Sequence, residues 1–143
     1  MKISVQREDF DLTSEVKSIS RDPKVGAVAS FVGQVREVEM TLEHYPGMTE
    51  KAIAKIVDDA RGRWNVMDCT VIHRFGELQP TDQIVLVAVA SAHRGDAFAA
   101  CEFIMDYLKT RAPFWKKEAT PEGDRWVEAR ESDDVAAARW QEL

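Results

Sequence analysis

The chain is poor in the features that mark several special classes of protein. Its 143 residues hold two cysteines, Cys69 and Cys101. They lack CxxC spacing, which argues against a disulfide framework or a zinc or redox pair and for a reducing compartment. No apolar run is long enough for a signal peptide or a membrane span, so a cytoplasmic protein without a membrane partner is expected. Positive charge is in deficit: 19 Lys and Arg stand against 25 Asp and Glu, a formal net charge of -6. Such a field repels polyanions, so no nucleic-acid partner is expected. The patterns GxxxxGK[ST], GxGxxG, HExxH and GxSxG are all missing. The histidines His44, His73 and His93 fall on separate elements, and neither a metal site nor a cofactor is expected.

What is present suits one folded domain over residues 1–143. Apolar residues make up 45% of the chain, with four Trp and six Phe, and no linker or repeat divides it. Ile3 and Val5 alternate with polar neighbours and predict a strand. Leu12, Val16 and Ile19 predict a helix capped by Thr13 or Ser14 and ended by Asp22-Pro23. The stretch from Val25 to Arg36 reads as a strand whose glycines let other backbone come close. A short strand follows from Leu42 to Tyr45, closed by the Pro46-Gly47 turn. From Thr49, the set Ile53, Ile56, Val57, Ala60 and Trp64 marks a one-faced helix.

Cys69 to Arg74 and Gln83 to Ala92 predict an antiparallel pair joined by a loop with Gly76, Pro80 and Asp82. Ala97, Ala100, Cys101, Ile104, Met105 and Leu108 predict a second helix with Asp96 as cap. Phe114 to Lys117 is extended, Trp126 to Ala129 forms a last strand, and Ser132 or Asp133 caps a final helix ending near Trp140. Helices mixed with hairpins, without βαβ alternation, give an α+β class.

The chemistry-bearing residues are cations at element ends. His93 and Arg94 lie between an apolar strand and a helix whose free N–H groups favour an anion, a natural phosphate seat. On these two residues alone, a turn pairing with a nearby carboxylate is the plainer account. Lys109 falls in the last turn of the same helix, where the dipole favours any lysine. Lys116 and Lys117 are consecutive in an extended segment and must point to opposite faces, so at most one enters a shared pocket. Arg36 ends a strand. Crowding these cations would be costly without an anionic ligand, so a functional site follows only if they converge. Trp115 and Trp126 suit a flat heterocycle, although core packing is the commoner use of such residues.

The stretches FVGQVR, LEHYPGM, HRFGEL, SAHRGDAF, YLKTRAPFWKKE and EGDRWVEA, in that order, closely resemble the large, catalytic subunit of molybdopterin synthase. The resemblance spans Gly26 to Ser132. It implies an α/β hammerhead-type fold with a mixed or antiparallel sheet and flanking helices. It also implies a homodimer of large subunits within a heterotetramer, with a ubiquitin-like small subunit at each outer end. The implied reaction is sulfur transfer from the small subunit's C-terminal Gly-Gly thiocarboxylate to cyclic pyranopterin monophosphate, forming the dithiolene of molybdopterin in molybdenum cofactor biosynthesis.

Carried over by motif, the essential lysines are Lys109 in YLKT and Lys116 in FWKKE. Substrate binding falls to Gln34, Val35, Arg36, His93, Arg94, Lys117 and Glu118 beside the two lysines. Between Arg36 and Leu42 there is only EVEMT, where family members usually carry a longer loop with Gly and Asn. One rival is a non-catalytic module that binds a ubiquitin-like tail through its basic cluster. Another is a pterin or nucleotide-phosphate hydrolase with His93 as base, against which the lack of a nucleophile motif counts.

Overall fold

The computed structural model describes residues 1–127 and 131–142. Strands β1 (Lys2–Gln6), β2 (Ala27–Gln34), β4 (Asp68–Arg74) and β6 (Gln83–Ser91) form one four-stranded sheet in the order β1-β4-β6-β2. Its β1–β4 pair is parallel and the rest antiparallel. Strands β3 (Met40–His44), β5 (Gly76–Leu78), β7 (Phe114–Glu118) and β8 (Arg125–Val127) form a second, antiparallel sheet in the order β5-β3-β7-β8. The helices are α1 (Leu12–Ile19), α2 (Met48–Arg63), α3 (Arg94–Arg111) and α4 (Glu131–Ala138), followed by a 3-10 turn at Arg139–Glu142. No helix among the described residues is long and apolar enough to cross a membrane. The α+β expectation holds, with two sheets where one was expected.

β6 is apolar from Ile84 to Ala90 because both of its faces are covered. Val85, Val87 and Val89 point into a core closed by Ile53, Ile56 and Val57 of α2 and by Ala100 and Ile104 of α3. Leu86, Ala88 and Ala90 point the other way, against Ile19 of α1 and Ile72 of β4. A third cluster of Val35, Met40, Leu42 and Leu78 joins the end of β2 to the second sheet. The three-residue β5 lies inside what reads as a loop; among the described residues it pairs only with β3, Met40 opposite Leu78, and it has no local pattern of its own.

The helix starts differ from the sequence reading. Asp11, not Thr13 or Ser14, caps α1, its Oδ1 accepting the Ser14 N–H at 3.1 Å. α3 begins at Arg94 with His93 in the cap position, which places Asp96 within the first turn. There the Asp96 carboxylate suits the helix dipole and also accepts the Asn65 N–H at 2.9 Å, tying α3 to the segment after α2. α4 begins at Glu131, so Ser132 and Asp133 lie inside it rather than before it. The last strand is described as far as Val127; positions 128 and 129 of that expectation lie outside the described residues.

Gly26 justifies the expected close backbone approach. Its N–H donates to the Ser91 carbonyl at 3.0 Å, and an added Cβ would overlap the Ala92 carbonyl oxygen. Backbone cannot yield as a flexible side chain can. Gly26→Ala is therefore expected to destabilise by at least about 2 kcal/mol, within the range for overpacking, and a urea midpoint close to the parent's would refute this.

Candidate active site

The two sheets and the C-terminal half of α3 enclose a cavity of about 640 Å³. β2 and the connection after it bring Gln34, Val35 and Arg36 to the wall. That connection is tight: Glu37 takes a positive φ of 71°, and the Val38 N–H donates to the Arg36 carbonyl at 2.9 Å. Lys109 arrives at the end of α3, and Lys116 with Glu118 arrives from β7. The period of two in β7 sends Phe114, Lys116 and Glu118 to the cavity side. Lys116 Nζ sits 3.0 Å from Glu118 Oε1, an ion pair that steers the lysine along the wall.

The alternate residues of β7 face away. Lys117 Nζ lies 5.1 Å from the centre of the Trp126 ring on the outer face, clear of the cavity. Trp115 and Trp126 are 48% and 55% exposed, so they are neither core residues nor part of the cavity wall, contrary to both readings of these tryptophans. His93 and Arg94 are exposed at the start of α3 and do not line the cavity either. Sixteen helical positions separate His93 from Lys109, roughly 24 Å along the axis. The expected crowding of all the cations thus does not occur within one copy of the chain. Arg36, Lys109 and Lys116 share one cavity, while His93 and Arg94 stand apart.

Sequence reasoning missed three titratable wall residues, Glu37, His73 and Asp133. Asp133 gives no signal beyond its helix. For His73 a signal exists: it follows Val71 by two positions on β4 and so shares its inward face. The imidazole stacks on Phe114, with centroids 3.7 Å apart and planes 18° apart, and its Nδ1 lies 2.9 Å from the Arg74 carbonyl oxygen. Burial, aided by the positive charge of Lys109, pushes its pKa down to about 4. The ring is therefore neutral near pH 7.

A buried neutral histidine makes acid destabilising. Above the ordinary histidine value both folded and unfolded states are neutral there, so His73 adds no pH dependence. Between about 6.5 and 4 the unfolded chain takes a proton that the folded chain does not, so stability falls as pH falls. Allowing for the ring edge that meets the cavity, about 2 kcal/mol should be lost over that window. His73→Phe should lack this component. Urea titrations at pH 7.5 and 4.5 should show the parent losing about 2 kcal/mol more than the variant, and equal losses would contradict it.

Comparison with known proteins shows the family. Residues 5–111 match the family model described as MoaE protein. The molybdopterin synthase catalytic subunit of Ralstonia nicotianae is 62% identical over 146 residues, covering 96% of this chain and 83% of that protein. The solved molybdopterin biosynthesis MoaE protein from Burkholderia ambifaria MC40-6 is 59% identical with a TM-score of 0.86, over 98% of this chain and 97% of that one. A complex of subunits 1 and 2 of molybdopterin-converting factor from Helicobacter pylori 26695 shares the fold, at TM-score 0.75 and 18% identity, over 90% of this chain and 91% of that one. With a matching family model over most of its length and relatives at this identity, the chain belongs to the MoaE protein family.

Proposed function

We propose that this chain, acting as one domain in the cytoplasm, is the catalytic subunit of a molybdopterin synthase. It transfers sulfur from the thiocarboxylated C-terminus of a ubiquitin-like small subunit to cyclic pyranopterin monophosphate. The observation that carries the proposal is the meeting of Lys109, Lys116 and Arg36 on the wall of one cavity, delivered by three separate elements. Arg36 suits a phosphate, because a guanidinium binds such oxygens two at a time. Lys109 and Lys116 suit proton transfer and stabilisation of charge that develops as the acyl–sulfur bond breaks. Gln34, Val35 and Glu118 complete the binding wall, the last by holding Lys116. Reconstitution with thiocarboxylated small subunit and precursor, scored for dithiolene, is the test; binding of the small subunit's tail without turnover would favour a non-catalytic docking module instead.

His93 and Arg94 enter this reading through a second copy. A homodimer would set one copy's pair against the other's cavity, giving the heterotetramer two composite sites. Support comes from an unsatisfied apolar face beside the cavity, where Phe98 of α3 is 65% exposed and Phe31 of the edge strand β2 is 44% exposed. Arg94→Ala is expected to weaken precursor binding by about 1.5–3 kcal/mol with the fold intact, the range for losing a hydrogen bond to a charged group. Calorimetry on the variant measures this. Unchanged affinity, or a strictly monomeric mass by light scattering, would remove the pair from the site.

A further inference from the structure

The cavity wall carries one polar ring that the lysine chemistry leaves without a task. His73 lies on β4 with its side chain on the wall shared by Lys109 and Lys116, and it is held on two sides. Its plane is fixed by the stack on Phe114, the residue that starts β7 two positions before Lys116. Its tautomer is fixed as well. The Arg74 carbonyl can only accept, so the nitrogen 2.9 Å from it, Nδ1, carries the ring proton. Nε2 then holds a lone pair, on the ring edge away from that carbonyl, in a residue that lines the cavity.

That edge is unusual in its setting. Gln34, Arg36, Lys109 and Lys116 bring mainly N–H donors to the wall, Glu37, Glu118 and Asp133 bring carboxylates, of which Glu118 is engaged by Lys116 at 3.0 Å, and His73 brings an aromatic nitrogen acceptor. Burial and the nearby Lys109 charge keep the imidazole unprotonated, with a pKa of about 4, so it accepts near pH 7. A phosphate offers only acceptors to such a wall. A reduced pterin also offers ring N–H groups, which need an acceptor when water is displaced.

We infer that His73 is a substrate-orienting residue, whose Nε2 accepts a hydrogen bond from a ring N–H of the pterin and so directs the phosphate end toward Arg36 and the lysines. This rests on the reading of the cavity as a pterin-phosphate site. It assigns the two ends of the substrate to different chemistry, the heterocycle to a neutral acceptor clamped between strands and the phosphate to cations. The ring is clamped by the stack on Phe114 and the bond to the Arg74 carbonyl, so it fixes orientation at little entropic cost.

The test uses the 143-residue chain with two probes, cyclic pyranopterin monophosphate and inorganic phosphate, by calorimetry. His73→Phe keeps the stack on Phe114 and deletes the acceptor, and should weaken precursor binding about tenfold while leaving phosphate binding unchanged. His73→Gln, whose amide oxygen reaches near the Nε2 position, should recover most of that loss. In the unsubstituted protein the His73 Nε2 nitrogen resonance should shift on adding precursor and stay in place on adding phosphate, a readout independent of whether either variant folds. Parent-like precursor affinity of His73→Phe, or an unmoved resonance under saturating precursor, overturns the inference and leaves the pterin reading standing. A parent chain that binds phosphate but not the precursor overturns both.

Discussion

Lys116→Ala is expected to cut single-turnover dithiolene formation by at least about a hundredfold, while Lys117→Ala reacts near the parent rate at saturating substrate. The two lysines are adjacent in β7, equal in charge, and differ only in the face they occupy. Lys116 shares the cavity with Lys109, whereas Lys117 lies over the exposed Trp126 ring. Stability does not confuse the comparison. Losing the half-exposed Lys116–Glu118 pair costs about 1 kcal/mol at most, and losing an exposed cation–π contact costs about 0.5–1 kcal/mol. Neither loss unfolds a domain of ordinary stability, so a rate difference of two decades reports chemistry. Lys116→Arg sharpens the test by keeping the charge while replacing an amine with a guanidinium that does not give up its proton, and it should remain slow. If Lys116→Ala reacts at the parent rate, the catalytic assignment fails and the tail-binding module becomes the better account.

Trp140→Ala is expected to cost about 3–5 kcal/mol, the range for emptying a buried tryptophan site. The side chain is 7% exposed and packs edge-on against Trp64 and Phe103, with centroids 5.4 Å and 5.6 Å away. Its indole N–H donates to Asp106 Oδ2 at 2.6 Å, and Arg63 donates to its backbone carbonyl, so one residue ties the chain's end to both α2 and α3. Arg139 adds an ion pair to the same Asp106 at 3.0 Å, on an exposed flank where it contributes little. Trp140→Phe keeps most of the apolar contact and loses the bond to a charged acceptor, and should cost about 1.5–3 kcal/mol. Urea unfolding followed by circular dichroism orders the three proteins. A loss below about 1 kcal/mol for the alanine variant would mean that the C-terminal segment is not part of the cooperative core. The consequence reaches the site, because the same segment carries Asp133 to the cavity wall and packs on α3, whose last turn holds Lys109.

Much of this protein is legible in its residues because local geometry repeats. The stripes of α2 and α3 follow the turn of a helix, and the unbroken apolar run of β6 announces a strand buried on both faces. The separation of Lys116 from Lys117 needs only the period of a strand. Even the distance between His93 and Lys109 follows from their places on one helix, which by itself forbids their meeting within a single copy. The ordered motifs carry the family. Caps were misread by a few positions, since several acceptors near each start compete and the winner depends on where the backbone turns, as Asp11 and Asp96 show.

Tertiary structure alone decided the rest. β5 exists because β3 offers it an edge, and the second sheet exists because β3, β7 and β8 meet across long stretches of chain. The cavity forms only where that sheet, the end of β2 and the end of α3 close on one another. His73 becomes a clamped acceptor only when Phe114, forty-one positions later, lies flat against it. Periodicity is set by bonds between near neighbours and can be read along the chain. Pairing, enclosure and the protonation of a buried ring are set by residues far apart in sequence, whose meeting no local pattern records.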